Sequence, residues 1–256
     1  MIKEEQRFVS SSIFEGMVSF RAVIAGIEAG ISDRRIERVI YDGERKGKLA
    51  KHLSYVKAMS YKYGFELDEV DSSVIDSYAV GTSHGGILCF TSDRTLPLLD
   101  GATLRENGFY MMLDGIEDPY NFGYAMRSLY AAGVDGVILP ERNWMSAAGV
   151  VCRASAGASE MLDIFVASSE NMIDKFKNAG YKIACADIEN SVSVYDCELA
   201  RPLLLCVGGE KRGISKAVLE SADTIVRLDY GRDFPQALSA ASAASIRAFE
   251  VLRKNR

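Results

Sequence analysis

The run Leu203-Leu204-Leu205-Cys206-Val207, followed by Gly208-Gly209-Glu210-Lys211-Arg212-Gly213, constrains this chain more than any other stretch. An unbroken apolar run reads as a strand covered on both faces, the kind found inside a parallel sheet packed between helices. Pro202 marks its start. The glycines at 208, 209 and 213 predict a tight turn whose backbone can lie against a ligand. Ser215 is placed to cap the helix that follows. Open α/β sheets bind ligands in the crevice beyond the carboxyl ends of their strands, which makes this turn the first candidate site. Gly208 and Gly213 have P-loop spacing, but Ile214 stands where the phosphate-binding lysine belongs, and the pattern is not the dinucleotide fingerprint either.

The rest of the chain alternates between the two periods of an α/β protein. Helical spacing over 15–29 ends at Gly30, a fitting C-cap, and a second helix over 49–63 stops at Gly64. Strands are expected at 36–41 and 87–90, an extended segment at 65–70, and a short helix from Ser72 or Ser73 to Val80. Together these make a compact unit over residues 1–92. Residues 93–107 hold no period, are punctuated by Pro97 and Gly101, and read as a linker. A second unit, 108–256, opens with the strand 109–113. A helix capped by Asn121 then runs to Ala132 and is closed by Gly133. Arg127 lies about 200° round that helix from Ala125, so it projects away from the face shared by Ala125, Leu129 and Ala132. Further strands are expected at 136–139, 162–166, 181–186 and 224–228, with helices over 147–153, 170–179 and 236–253. The last helix carries alanine and serine on almost every side, which suits close packing against the sheet and a second subunit.

Composition excludes several classes. With 30 Lys and Arg against 35 Asp and Glu the chain carries a net charge of -5, so it is no uniformly basic nucleic-acid binder. Local basic density remains at Arg34, Arg35, Arg38, Arg45, Lys46, Lys48 and Lys51. The cysteines at 89, 152, 185, 197 and 206 form no CxxC pair and sit mostly in apolar runs, as reduced core residues of a cytoplasmic protein do. His52 and His84 are the only histidines, too few for a His-based zinc site, and no metal is expected. The amino terminus is charged and no apolar run nears 18 residues, so neither a signal peptide nor a membrane span is expected.

Three stretches together resemble the SpoU/TrmH family of RNA ribose 2′-O-methyltransferases, within the knotted SPOUT group. Asp118-Pro119-Tyr120-Asn121-Phe122-Gly123-Tyr124-Ala125-Met126-Arg127, with Ala131-Ala132-Gly133, is similar to the family's first motif, DPxNxGxxxR…AxG. Val207 to Gly213 is similar to the second, LGxExxG, and the region from Val226 to Ala244 corresponds to the third. Residues 12–92 resemble the L30e-like domain that precedes the methyltransferase domain in many members, with Phe14-Glu15-Gly16 and His84-Gly85-Gly86-Ile87 as its signs.

The resemblance implies an α/β chain with a trefoil-knotted SPOUT domain at 108–256 and a smaller L30e-like RNA-binding domain at 1–92. It implies S-adenosyl-L-methionine as cofactor, with Val207, Gly208, Leu228 and Leu238 around its adenosine. It carries Arg127, Asn121 and Glu210 over as catalytic residues, and it implies a homodimer acting on RNA. The N-terminal domain favours ribosomal over transfer RNA. The third motif departs from the pattern: Asp229-Tyr230 follows Leu228 where the family has Pro-Met, Ser239 replaces Asn, and Ala241 replaces Ser. These departures keep in play a non-catalytic RNA-binding or assembly protein that retains the fold; a transfer-RNA 2′-O-methyltransferase and a generic nucleotide-binding α/β protein are the other readings.

Overall fold

The computed structural model describes residues 12–140, 147–209 and 213–256. They form two compact units, one from the segments up to Thr95 and 143–161, the other from Leu96–Arg142 and Leu162–Arg256.

The first unit holds a four-stranded sheet in the order β1-β4-β2-β3. Its strands are β1 (Ile13–Glu15), β2 (Ile36–Asp42), β3 (Glu66–Val70) and β4 (Ile87–Thr91). Helices α1 (Gly16–Glu28), α2 (Lys46–Tyr63) and α3 (Ser72–Tyr78) alternate with them. Gly64, at φ +75°, ends α2 in the left-handed conformation that a Cβ would disfavour. Phe20 of α1 meets Tyr55 and Phe65 edge-on at ring centroids of 6.0 and 6.1 Å, anchoring the core.

This unit also takes in α5 (Ala148–Ala154) and α6 (Ala158–Met161), which sequence order assigns to the second half. Ala148 and Cys152 sit in the core with Phe14 and Phe20. The Arg34 Nε donates to a Glu160 carboxylate oxygen at 2.9 Å, with both side chains almost fully buried. Arg34 therefore leaves the surface basic cluster expected from the sequence. Arg38, Arg45 and Lys46 are each paired, with Asp68, Asp42 and Glu69, while Arg35, Lys48 and Lys51 are exposed.

The second unit is a seven-stranded sheet in the order β7-β6-β5-β10-β8-β11-β9. Its strands are β5 (Phe109–Asp114), β6 (Gly136–Leu139), β7 (Ile164–Val166), β8 (Lys182–Ala186), β9 (Val192–Ser193), β10 (Leu203–Gly208) and β11 (Thr224–Arg227). Every neighbouring pair is parallel. The apolar run that opened the sequence argument is β10, flanked on both sides by β5 and β8. Because alternate side chains point to opposite faces, both faces need cover. Tyr110, Met112, Ile183, Cys185, Leu204 and Cys206 pack into one core with Phe176 of α7 (Ser169–Asn178) and Val218 of α8 (Lys216–Ser221). The other face of β10 meets α9 (Ala240–Lys254), which packs on α4 (Pro119–Ala131).

Part of the segment read as a linker is stitched into this unit. Pro97 accepts a hydrogen bond from Val166 N at 3.0 Å, and Leu99 is buried in the core beside Phe176. The final helix is also shorter than the expected 236–253: it starts at Ala240, with residues 236–239 outside it. Among the described residues no helix is long and apolar enough to cross a membrane.

Candidate active site

The glycines after β10 are required by the chain itself. A Cβ on Gly208 would lie 2.2 Å from the Gly213 carbonyl carbon, because the turn folds back with Gly213 N donating to Gly209 O at 3.0 Å. A Cβ on Gly209 would lie 2.2 Å from Gly115 O, in the loop that follows β5. Glycine at 208 is thus required by the turn itself, whose fold-back occupies the space of the missing side chain. The Gly115–Gly209 contact brings the loop leading into α4 against the glycine turn, so the stretches at 118–127 and 207–213 become neighbours.

Helix α4 does not begin as the sequence suggested. Its N-cap is Asp118, whose carboxylate accepts from Asn121 N at 2.7 Å, with Pro119 at the first position. Asp118 has the side chain that reaches the open backbone N–H, so Asn121 lies inside the first turn and its own side chain is left out of the cap. We expect Asp118→Ala to cost about 1 kcal/mol, read as a lower denaturant midpoint; an unchanged midpoint would show that the cap contributes nothing.

Arg127 is exposed on α4, opposite the buried Ala125 and Leu129, as the helical spacing predicts. No hydrogen bond or ion pair joins it to another described residue. Glu210, expected beside it, lies outside the described residues.

Beyond the carboxyl ends of β8, β10 and β11 lies a cavity of about 610 Å³. Val207, Gly208, Leu228 and Leu238 all line it, with Ala186, Asp187 and Ile188 on one side and Ala240, Ala243 and Arg247 of α9 on another. A volume of this size, with apolar and charged side chains both in its lining, suits a nucleoside-sized ligand. Asn121 and Arg127 are not part of its lining. Ser239 caps α9 by accepting from Ser242 N at 3.2 Å. Serine and asparagine serve about equally well at an N-cap, so this departure from the family pattern leaves the helix start intact.

Four lining residues, Arg227, Asp229, Tyr230 and Arg247, were missed from sequence. The Tyr230 hydroxyl accepts from Leu238 N at 3.2 Å and draws the 228–238 loop together. Arg227 and Asp229 form an ion pair at 2.8 Å. Bonds from Ser193 and Arg227 hold the Asp229 carboxyl below the usual range. Arg247 is 7% exposed within the alanine-rich helix. The available signal was its isolation, a single arginine on the Ala240–Ala243 face of a helix built from small residues.

A parallel α/β sheet with a cavity at its carboxyl ends, walled by a glycine turn, defines a ligand-binding protein of the open-sheet class. Residues 108–249 match the model of the SpoU rRNA Methylase family, and the chain belongs to that family. It is 29% identical over 234 residues to a Staphylococcus saprophyticus protein assigned to the TrmH family of tRNA/rRNA methyltransferases, covering 89% of this chain and 92% of that one. It is 27% identical over 231 residues to the 23S rRNA (guanosine-2′-O-)-methyltransferase RlmB of Shewanella oneidensis, covering 88% and 91%. Its fold matches the AdoMet-bound rRNA methyltransferase of Sinorhizobium meliloti with a TM-score of 0.80 at 22% identity, over 98% of this chain and 94% of that one.

Proposed function

We propose that this protein methylates a ribose 2′-hydroxyl of RNA using S-adenosyl-L-methionine, with ribosomal RNA as its target. The observation that carries this reading is the joint lining of one cavity by Val207, Gly208, Leu228 and Leu238, beside the loop that leads to Asn121 and Arg127. Its relatives' stated activities on ribosomal RNA support the choice of substrate. The residues present fit such a donor: Val207, Leu228 and Leu238 offer an apolar slot for a purine, and the neighbouring backbone offers polar groups for its edge. When bound, the cofactor supplies an electrophilic methyl group on sulfonium sulfur.

The chain's own residues bind and orient. Arg127, exposed and bonded to no other described residue, grips a phosphate beside the target ribose and aligns the 2′-hydroxyl. A guanidinium holds its proton too firmly to act as a base, so the hydroxyl proton passes to that phosphate or to water. Asn121, spared from capping, helps to hold the nucleotide, and Glu210 is assigned to steady Asn121 or Arg127. The exposed Arg35, Lys48 and Lys51 of the first unit contribute salt-sensitive RNA affinity. The protein acts in the cytoplasm, where its RNA substrate resides.

Incubation of the full chain with radiolabelled S-adenosylmethionine and unmodified ribosomal RNA should place label in alkali-stable dinucleotides, because a 2′-O-methyl group blocks cleavage at its own phosphate. Label in mononucleotides would overturn ribose methylation, and label accepted by transfer RNA alone would overturn the choice of target.

The protein works as a homodimer. Tyr120, Tyr124 and Tyr130 on α4, and Ile246 and Phe249 on α9, are exposed on two helices that pack together, an apolar surface a second copy would cover. Sedimentation should give a dimer at micromolar concentration, and Tyr124→Glu combined with Phe249→Glu should give a monomer. A monomeric wild-type chain would rule the dimer out.

A further inference from the structure

Arg247 is a charge without a counter-ion among the described residues. Its Nη1 donates to Ala243 O at 3.1 Å and its Nη2 to Val226 O at 3.4 Å. Its Nε is buried with no partner, and no carboxylate among the described residues pairs with it. Burial pushes its pKa down to about 10, which still leaves it protonated at neutral pH. Two carbonyls satisfy only part of a five-donor guanidinium, and a buried unpaired cation costs several kcal/mol unless something compensates it. A methionine would fill the same space between α9 and β11 without that cost. The charge therefore needs a partner that arrives from elsewhere.

The side chain lines the cavity, on the face that also presents Ala240 and Ala243. None of the acids of the same lining, Asp187, Asp229 and the exposed Asp233, bonds to it. Asp229 pairs with Arg227, and Asp187 accepts from Ile188 N at 2.6 Å. The lining thus holds a buried cation that no acid of that lining satisfies, together with the exposed carboxylate of Asp233, and an amino-acid zwitterion carries charges of both signs to meet them.

We propose that Arg247 is a carboxylate subsite, receiving the α-carboxylate of the methionyl tail of the methyl donor. This rests on the methyl-donor reading of the cavity and adds the residue that fixes the tail. A guanidinium suits the task because its planar fork matches a carboxylate, and a dry site strengthens the pairing.

Calorimetry on the full-length chain tests it with two probes. S-adenosylhomocysteine carries the carboxylate, whereas 5′-methylthioadenosine keeps the nucleoside and thioether but lacks the aminocarboxyl tail. Arg247→Met, checked for folding by its thermal transition, should weaken S-adenosylhomocysteine at least about tenfold and leave methylthioadenosine within about twofold. Arg247→Lys, which keeps the charge, should recover part of the preference. Equal losses for both probes would overturn the subsite and make Arg247 a tie between α9 and β11. No loss for either would overturn it as well. Weaker RNA retention with unchanged S-adenosylhomocysteine binding would give the guanidinium to an RNA phosphate instead. A wild-type chain that binds neither probe would instead sink the methyl-donor reading, so the two failures are told apart by the wild type.

Discussion

Gly209→Ala is expected to lower stability by about 3 kcal/mol, near the top of the range for overpacking, and to weaken cofactor binding at least about tenfold. The new Cβ would stand 2.2 Å from Gly115 O, 2.5 Å from its carbonyl carbon and 2.9 Å from its Cα. All three are backbone atoms, so no side chain can swing aside. The two loops cannot drift apart cheaply, because β5 and β10 run in register up to the pair Asp114 and Gly208. Relief must come from the turn that walls the cavity, which is why stability and binding should fall together. Gly101→Ala is the control, since nothing lies within 4 Å of its Cβ position. Chemical denaturation and titration with S-adenosylhomocysteine measure both effects. A Gly209→Ala protein that melts and binds like the wild type would show that the glycine turn is not under this constraint.

The second large effect is kinetic. Arg127→Ala should reduce methyl transfer about 100-fold, the loss expected when a positioning contact is removed and the reacting groups drift by about an ångström. Its folding transition should not move, because Arg127 is exposed and bonded to no described residue. Cofactor affinity should not move either, since Arg127 is absent from the cavity lining. Arg127→Lys should restore only part of the rate, because an ammonium keeps the charge but loses the fork that grips a phosphate. Single-turnover transfer from labelled cofactor to RNA is the measurement. Near-normal rates for Arg127→Ala would remove it from the mechanism.

The periodic elements were legible because they are local. The β10 strand and the helices ended by Gly30, Gly64 and Gly133 follow from apolar spacing and from glycines that take positive φ. Errors gathered at helix starts, where the choice of cap depends on which side chain reaches an open N–H. Asp118 took the place given to Asn121, and Ser239 begins the last helix later than its alanine content suggested. Strand β9 was invisible, being a two-residue strand held by its pairing with β11 and not by its own pattern. Arg34 was misread because a charged residue near other charges looks solvated, and only the fold supplies Glu160, 126 positions away, as its buried partner.

The site divides in the same way. Val207, Gly208, Leu228 and Leu238 came from motif resemblance, while Arg247 has no motif and became visible only when α9 was laid along the cavity. By itself the sequence determined a buried parallel strand ending in a glycine turn, and hence an open α/β sheet with a crevice at that end, because hydrophobic period and glycine conformation are properties of neighbouring residues. Tertiary structure alone decided that Gly209 meets Gly115, that the helices 148–154 and 158–161 join the first unit, and that a buried arginine with no counter-ion among the described residues lines the cavity. Those outcomes depend on contacts between residues far apart in the chain, and burial of a charge or close approach of two backbones is set by the partner that folding delivers.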